Sequence, residues 1–405
     1  MVSGKSVVTQ WFWRPASWQA WSAVTVVLLA SVVRVGLHTS DGGMDNAIVL
    51  RAAETWLDGG SPYADRHFLY LPSAVLAAVP EVLVPGGVLR FLAPAVVVCG
   101  LLVGWGSALR LYGIPWRSRY AVHGLGGLAL GFAPFGHLIQ LGNWTVVAAA
   151  ALPLALLLAH RGRWTAAGAA IGAAIAVKPL LVPVLLLFVF ARRWRGLAAA
   201  VLVPVVASGL AALVMPDPGG FFTRTLPFLL RGGDSFVRLY EASPGAVLPR
   251  LGVPQGLASL LGAMGAAAGV WCARRRWRRG GAGPGRVAES AVMLMLAAFL
   301  VSRPSYDHYL LVVVPLLLAG AGEEGAAGSA VRTPWFWLAL LPQVPGFGWP
   351  GLEAGERRAF KDAVTLCALA ATVAVCCARR GSVTVDEADP RQAEESAVPV
   401  SRAAF

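Results

Sequence analysis

Apolar runs of about twenty residues recur along this chain, separated by short arginine clusters or polar loops. About twenty apolar residues suffice to cross the hydrocarbon core of a bilayer as a helix. Composition agrees: 57% of the 405 residues are hydrophobic, 14% are charged and the mean hydropathy is +0.64. A soluble domain carries roughly a quarter charged residues. The fold class expected is all-α, a polytopic membrane protein.

The formal net charge of +13 raises the question of nucleic acid, and its distribution answers it. Of the 34 basic residues three are lysines (Lys5, Lys178, Lys361), so the rest are arginines. Many cluster between apolar runs, at Arg192, Arg193 and Arg195, at Arg274–Arg276 with Arg278 and Arg279, and at Arg379–Arg380. That is the signature of cytoplasmic loops under the positive-inside rule, and it argues for no nucleic-acid partner. The five cysteines lie in or beside apolar segments without metal-ligand spacing and read as small hydrophobes. The first apolar run, 18–37, is long, begins among Trp11, Phe12, Trp13, Trp18 and Trp21, and lacks a small-residue cleavage site. It reads as a retained span with an interfacial aromatic belt.

With the arginine clusters held inside, the first span runs outward and delivers a polar loop, 38–72, to the exterior. Asp45 lies in that loop, ahead of an amphipathic helix at 44–58 suited to the interface. The segment 72–84 is short for a span. Further spans are expected near 88–111, 120–139, 143–160, 198–215, 246–272, 288–301, 309–322, 334–350 and 361–378. The run 165–191 obeys the charge rule only as two half-helices broken at Lys178-Pro179, because proline disfavours helical geometry in the residue before it. The count is eleven or twelve spans within residues 1–380, followed by an acidic, polar cytoplasmic tail at 381–405 expected to be disordered.

Polar groups that lipid would not tolerate are the functional candidates. Lys178 is the sole charge in 165–191, and a lysine suits a phosphate as a point charge; the alternative is snorkelling to the interface. Gln140 and Asn143 mark an outer corner, as a capped turn or as sugar contacts. The outer loop 216–245 carries Arg224, Arg231, Asp234 and Arg238 among aromatics, a cationic stacking surface or a simple amphipathic one. His308 sits in the polar interruption SRPSYDHY at 302–309, as a structural histidine or a ligand on the Asp45 side.

Several motifs carry a family resemblance. They are Asp45 with Arg51-Ala52, Gly59 and Tyr63; Leu69-Tyr70 with Pro72; Gly168 and Gly172 before Lys178-Pro179-Leu180-Leu181; the R-x-W-R cluster; and FFTRTLP at 221–227. Together they resemble glycosyltransferase family 87, within the GT-C class, and most of all its arabinan-branching α-(1→3)-arabinofuranosyltransferases. The match covers about residues 40–240. It departs in having one aspartate where the family pattern has an adjacent pair, and in 305–309, which replaces a tyrosine-rich outer motif.

The resemblance implies a GT-C fold in the plasma membrane with an outward-facing site. It implies inverting transfer of a sugar, arabinofuranose favoured over mannose, from a polyprenyl-phosphate donor to a cell-wall arabinan or glycolipid. Asp45 would be the general base; Lys178, Arg224 and Arg231 would hold the donor phosphate; Tyr70, Gln140, Asn143 and His308 would contact substrate. A lipid phosphate needs no nucleotide-binding domain, and with no DxD-type motif visible no metal or cofactor is expected. The competing class is a transporter or flippase for a lipid-linked sugar, which would also contain a broken helix. Against it, no internal repeat is visible and the polar groups gather at one face.

Overall fold

The computed structural model describes residues 7–231, 239–281, 283–323 and 329–379, so the expected tail at 381–405 lies outside the described residues. Among them the chain is helical throughout, with no strand. The opening elements are α1 (Val7–Trp13), α2 (Trp18–His38), α3 (Met44–Leu57), α4 (Pro72–Val82), α5 (Gly86–Leu111), α6 (Arg119–Gly131) and α7 (Ala133–Leu141). They are followed by α8 (Thr145–His160), α9 (Trp164–Val177), α10 (Leu185–Phe190) and α11 (Trp194–Leu213). Long helices at Gln255–Arg278 and Ala354–Arg379 and a shorter one at Pro284–Phe299 complete the bundle.

Five described helices are long and apolar enough to cross a membrane: α2, α5, α11, Gln255–Arg278 and Glu356–Arg379. The span expected at 120–139 is instead α6 and α7, bent by 71°. Phe132 is extended at the joint and Pro134 opens α7, where its missing N–H costs nothing. The span expected at 334–350 is a seven-residue helix, Pro334–Leu340, and a 3₁₀ turn, Leu341–Gln343, with Pro345 and Pro350 beyond. Shorter apolar helices, α4, α8, α9, Pro179–Phe190 and Asp307–Gly322, make up the remainder.

The break at Lys178 is built as the proline suggests. Lys178 is extended (φ −145°, ψ 122°) between α9 and a 3₁₀ turn at Pro179–Val184. Chain direction reverses there, because the two outer ends of the segment meet again: the rings of Trp164 and Phe188 pack edge to face at 5.8 Å. At 1.5 Å per residue the fourteen residues of α9 put Lys178 about 20 Å from that end. α9 then lies against α11, where a Cβ on Gly168 would fall 2.0 Å from the carbonyl oxygen of Gly196. Small residues that let helix backbones touch are the usual currency of packing in lipid.

The arginine clusters around Arg193 and Arg279 gather at the Trp164 end. Arg193 lies over the Trp164 ring at 5.6 Å, Trp277 packs against that ring at 6.2 Å, and Arg279 bonds the carbonyl of Ala378. Asp45, Asn143 and Lys178 occupy the opposite end, so the polar site and the arginine clusters are separated by the thickness of the bundle.

Candidate functional site

The site begins with a main-chain contact. Residues 39–43 leave α2 as a tight bend in which Gly42 (φ +73°) and Gly43 (φ +125°) adopt angles open to glycine. The bend lies directly on the end of α7, itself closed by Gly142 in the left-handed conformation. A Cβ on Gly43 would meet the Leu141 carbonyl carbon at 2.3 Å, and one on Gly142 would meet the Gly42 oxygen at 2.3 Å. Two glycine turns therefore set the register between the acidic loop and the corner at 142–145.

Side chains then pair across that register. Asn143 Nδ2 donates to Asp45 Oδ2, and one residue on, Trp144 Nε1 donates to Asn46 Oδ1 at 2.8 Å. The orientation of the Asn143 amide is fixed by its other face. Its Oδ1 accepts from Lys178 Nζ at 2.8 Å and from the Thr145 N–H at 2.7 Å, both pure donors, so the amino group must face the carboxylate. Lys178 Nζ also donates to Thr145 Oγ1 at 2.9 Å and lies over the rings of Tyr309 (5.1 Å) and Tyr70 (5.6 Å). The result is a relay, ammonium to amide to carboxylate, with an aromatic cage around the cation.

Asp45, half-buried in the first turn of α3, stands on a wall common to two cavities. The first, of about 220 Å³, is lined by Tyr70, Asn143, Lys178, Arg303, Tyr306 and Tyr309 among others. Burial, reinforced by the negative charge of Asp45, holds the Tyr70 phenol well above the usual range, so it stays neutral there. The second, of about 150 Å³, is lined by His137, Gln140, Tyr306, Asp307, His308 and Arg358. Here the His308 ring is buried, stacked on Tyr306 at 5.3 Å and edge-on to Tyr309 at 5.1 Å.

The structure thus brings Asp45, Tyr70, Asn143 and Lys178 to one cavity and Gln140 and His308 to its neighbour. It does not bring Arg224. That guanidinium ion-pairs with Asp217 at 3.1 Å, bonds the Tyr63 carbonyl at 3.3 Å and lines neither cavity. Asp217, at the end of the same loop, supplies the nearer carboxylate, and the motif is spent on packing the loop against 62–70. The side chain of Arg231, with Asp234 and Arg238, lies outside the described residues.

Sequence reasoning missed the second cavity's own network. Buried Asp307 is bonded by His137 Nδ1, accepts from the His308 N–H at 2.8 Å and has Arg358 Nη2 at 3.7 Å. His137 was the available signal, an ionisable residue inside an apolar run.

Comparison with known proteins places these features. The model of Glycosyltransferase family 87 matches residues 68–302, which includes Lys178 and begins after Asp45. An alpha-(1->3)-arabinofuranosyltransferase of Mycobacterium tuberculosis is 30% identical over 336 residues, covering 81% of this chain and 75% of its own. A polyprenol-phosphate-mannose-dependent alpha-(1-2)-phosphatidylinositol pentamannoside mannosyltransferase of Mycolicibacterium smegmatis is 26% identical, covering 86% of both chains. Among solved structures, ArnT from Cupriavidus metallidurans bound to undecaprenyl phosphate superposes with a TM-score of 0.44 at 17% identity, over 89% of this chain and 77% of that one.

Proposed function

Because the chain belongs to glycosyltransferase family 87, we propose that it transfers arabinofuranose from a polyprenyl-phosphate donor to a hydroxyl of a cell-envelope glycan or glycolipid, with Asp45 as general base. The observation that carries this reading is the placement of Asp45 on the wall between two cavities, its carboxylate held by the Asn143–Lys178 relay. A base between two chambers can meet a hydroxyl entering from one and an anomeric carbon presented in the other.

In the reaction the acceptor oxygen attacks the anomeric carbon from the face opposite the leaving group. The new C–O bond forms as the bond to the phosphate oxygen breaks, its electron pair departs with polyprenyl phosphate, and the acceptor proton passes to Asp45. Configuration inverts. Asn143 and Lys178 act through Asp45: the amide N–H aims the carboxylate, and the ammonium holds the amide in that orientation. The names of the relatives support a lipid-phosphate donor and a pentose or hexose cargo. The loop clusters around Arg193 and Arg279, at the far end of the bundle, support a site open to the exterior of the plasma membrane.

The mannosyl reading has its own support in the Mycolicibacterium smegmatis relative, which is aligned over 86% of this chain. Purified protein in lipid nanodiscs, given radiolabelled polyprenyl-phospho-arabinofuranose or polyprenyl-phospho-mannose with arabinan and glycolipid acceptors, tests both. Label transferred from the arabinose donor alone is expected. Transfer from the mannose donor alone replaces the sugar in the reading. Movement of labelled donor between leaflets in proteoliposomes without transfer to any acceptor removes the enzyme reading in favour of a flippase.

A further inference from the structure

A third cavity, of about 650 Å³, adjoins the second and shares His137, Gln140 and Arg358 with it. Its remaining wall comes from α2, the α6–α7 corner, residues 343–346 and the start of the C-terminal helix, and carries Arg34, Arg357 and Lys361 as well as Arg358. Asp362 is the carboxylate on this wall, and its Oδ1 is already taken by Gln343 Nε2 at 2.9 Å. Asp307, next door, is engaged by His137 and Arg358. Arg358 is thus paired with Asp307, while Arg34, Arg357 and Lys361 face this space with no ion-pair partner among the described residues.

The cations themselves are held ready. Lys361 Nζ is anchored by the Phe347 carbonyl at 3.0 Å, and Arg357 Nη2 by the Leu352 carbonyl at 2.6 Å; neither has a carboxylate partner among the described residues. Arg34 is more telling. It lies in the apolar helix α2, four residues before its end, and its guanidinium has no hydrogen-bond or ion-pair partner among the described residues. An arginine in a membrane helix is expensive unless it faces a polar cavity or finds an anion. The neighbouring surface of α2 is apolar and exposed at Val33 and Leu37, as is the opposite rim at Leu341 and Val344. The cavity mouth is thus framed by lipid-facing side chains, while its interior is cationic.

We propose that this cavity seats the phosphate of a lipid-borne substrate that enters sideways from the bilayer between α2 and residues 341–346. The second cavity then holds the group carried on that phosphate, and Asp45 stands at its far wall. This rests on the reading of Asp45 as the base and deepens it: the donor phosphate lies across Asp45 from Lys178, and the acceptor hydroxyl comes from the Lys178 side. The sequence places the phosphate on Lys178, Arg224 and Arg231; the charge of Lys178 is engaged by the relay and the two tyrosine rings, and Arg224 is paired with Asp217.

The test measures binding alone, by microscale thermophoresis of detergent-purified protein with farnesyl phosphate, farnesol or inorganic phosphate, with no sugar or acceptor present. Farnesyl phosphate is expected to bind at least tenfold more tightly than either of the others. Arg34→Gln and Lys361→Gln, which remove no contact to a protein carboxylate, are each expected to weaken it fivefold or more, with unchanged thermal unfolding. Lys178→Met is expected to stay within twofold of the parent. Equal binding of farnesol shows that phosphate is not recognised, and equal binding of inorganic phosphate shows a soluble-anion site; either overturns the proposal. So does loss of binding in Lys178→Met with the arginine and Lys361 variants unaffected. If farnesyl phosphate binds as stated but no sugar donor is turned over, the proposed function fails and this site stands; transfer with unaltered phosphate binding in the Arg34 and Lys361 variants gives the reverse.

Discussion

The two flanks of Asp45 are built on opposite principles. On the Lys178 side every key polar group has its partner within the protein: ammonium, amide, hydroxyl and carboxylate close on one another. On the Arg358 side cations outnumber available carboxylates, and Arg34 points its charge into open space. A saturated network rigidifies and orients, whereas an unsaturated one is costly until something binds. On the reading proposed above, the contrast separates a flank that holds the base from a flank that receives an anion.

Steady-state kinetics can break or sharpen this contrast. The largest effect is expected from Asp45→Asn, which keeps the shape of both flanks and removes the base: turnover should fall by about a hundred- to ten-thousandfold. Expression and thermal unfolding should stay as in the parent, and near-normal turnover would sink the assignment. Asn143→Ala cuts the relay at its centre. It frees Asp45 to rotate and should lower kcat by about a hundredfold, the scale on which small misplacements act, with donor KM little changed.

Lys178→Met is the sharper discriminator. If the ammonium serves the relay, kcat falls by about ten- to a hundredfold while donor KM holds, since removing one hydrogen-bonded charge costs about 1.5–3 kcal/mol. A rise in donor KM at constant kcat would move the phosphate to this flank and erase the contrast. Lys178→Arg should recover little, because a longer, planar guanidinium does not reproduce the compact donor that serves Asn143 Oδ1 and Thr145 Oγ1 together. The smallest effect belongs to Arg224→Ala. Its exposed pair with Asp217 is of a kind worth about 0–1 kcal/mol, and donor titration should move by less than about twofold.

The saturated flank was the legible one. Asp45, Asn143 and Lys178 stand out because a polar group in a lipid-solvated stretch is expensive, and Lys178-Pro179 announces a break through proline sterics alone. The receptive flank was hidden for a physical reason. Asp307 meets His137 across 170 positions of sequence and His137 meets Arg358 across 221, and each alone reads as a loop residue or a stray charge. Arg224 misled in the opposite sense: a cation in an aromatic loop looks like a ligand site until the fold supplies Asp217. The 71° bend between α6 and α7 was written in Pro134, but a hydropathy window averages over a single proline.

The contact between the bend at Gly42-Gly43 and the cap at Gly142 has an evolutionary consequence. Main-chain contact at these glycines sets the register, so the position proposed for the base depends little on what decorates the two chambers. On the reading proposed above, chamber walls could be exchanged, pentose for hexose or one acceptor for another, without re-solving the problem of where the proton goes. Diversification of substrate within such a scaffold is cheap, and the three glycines are the positions at which it should not be attempted.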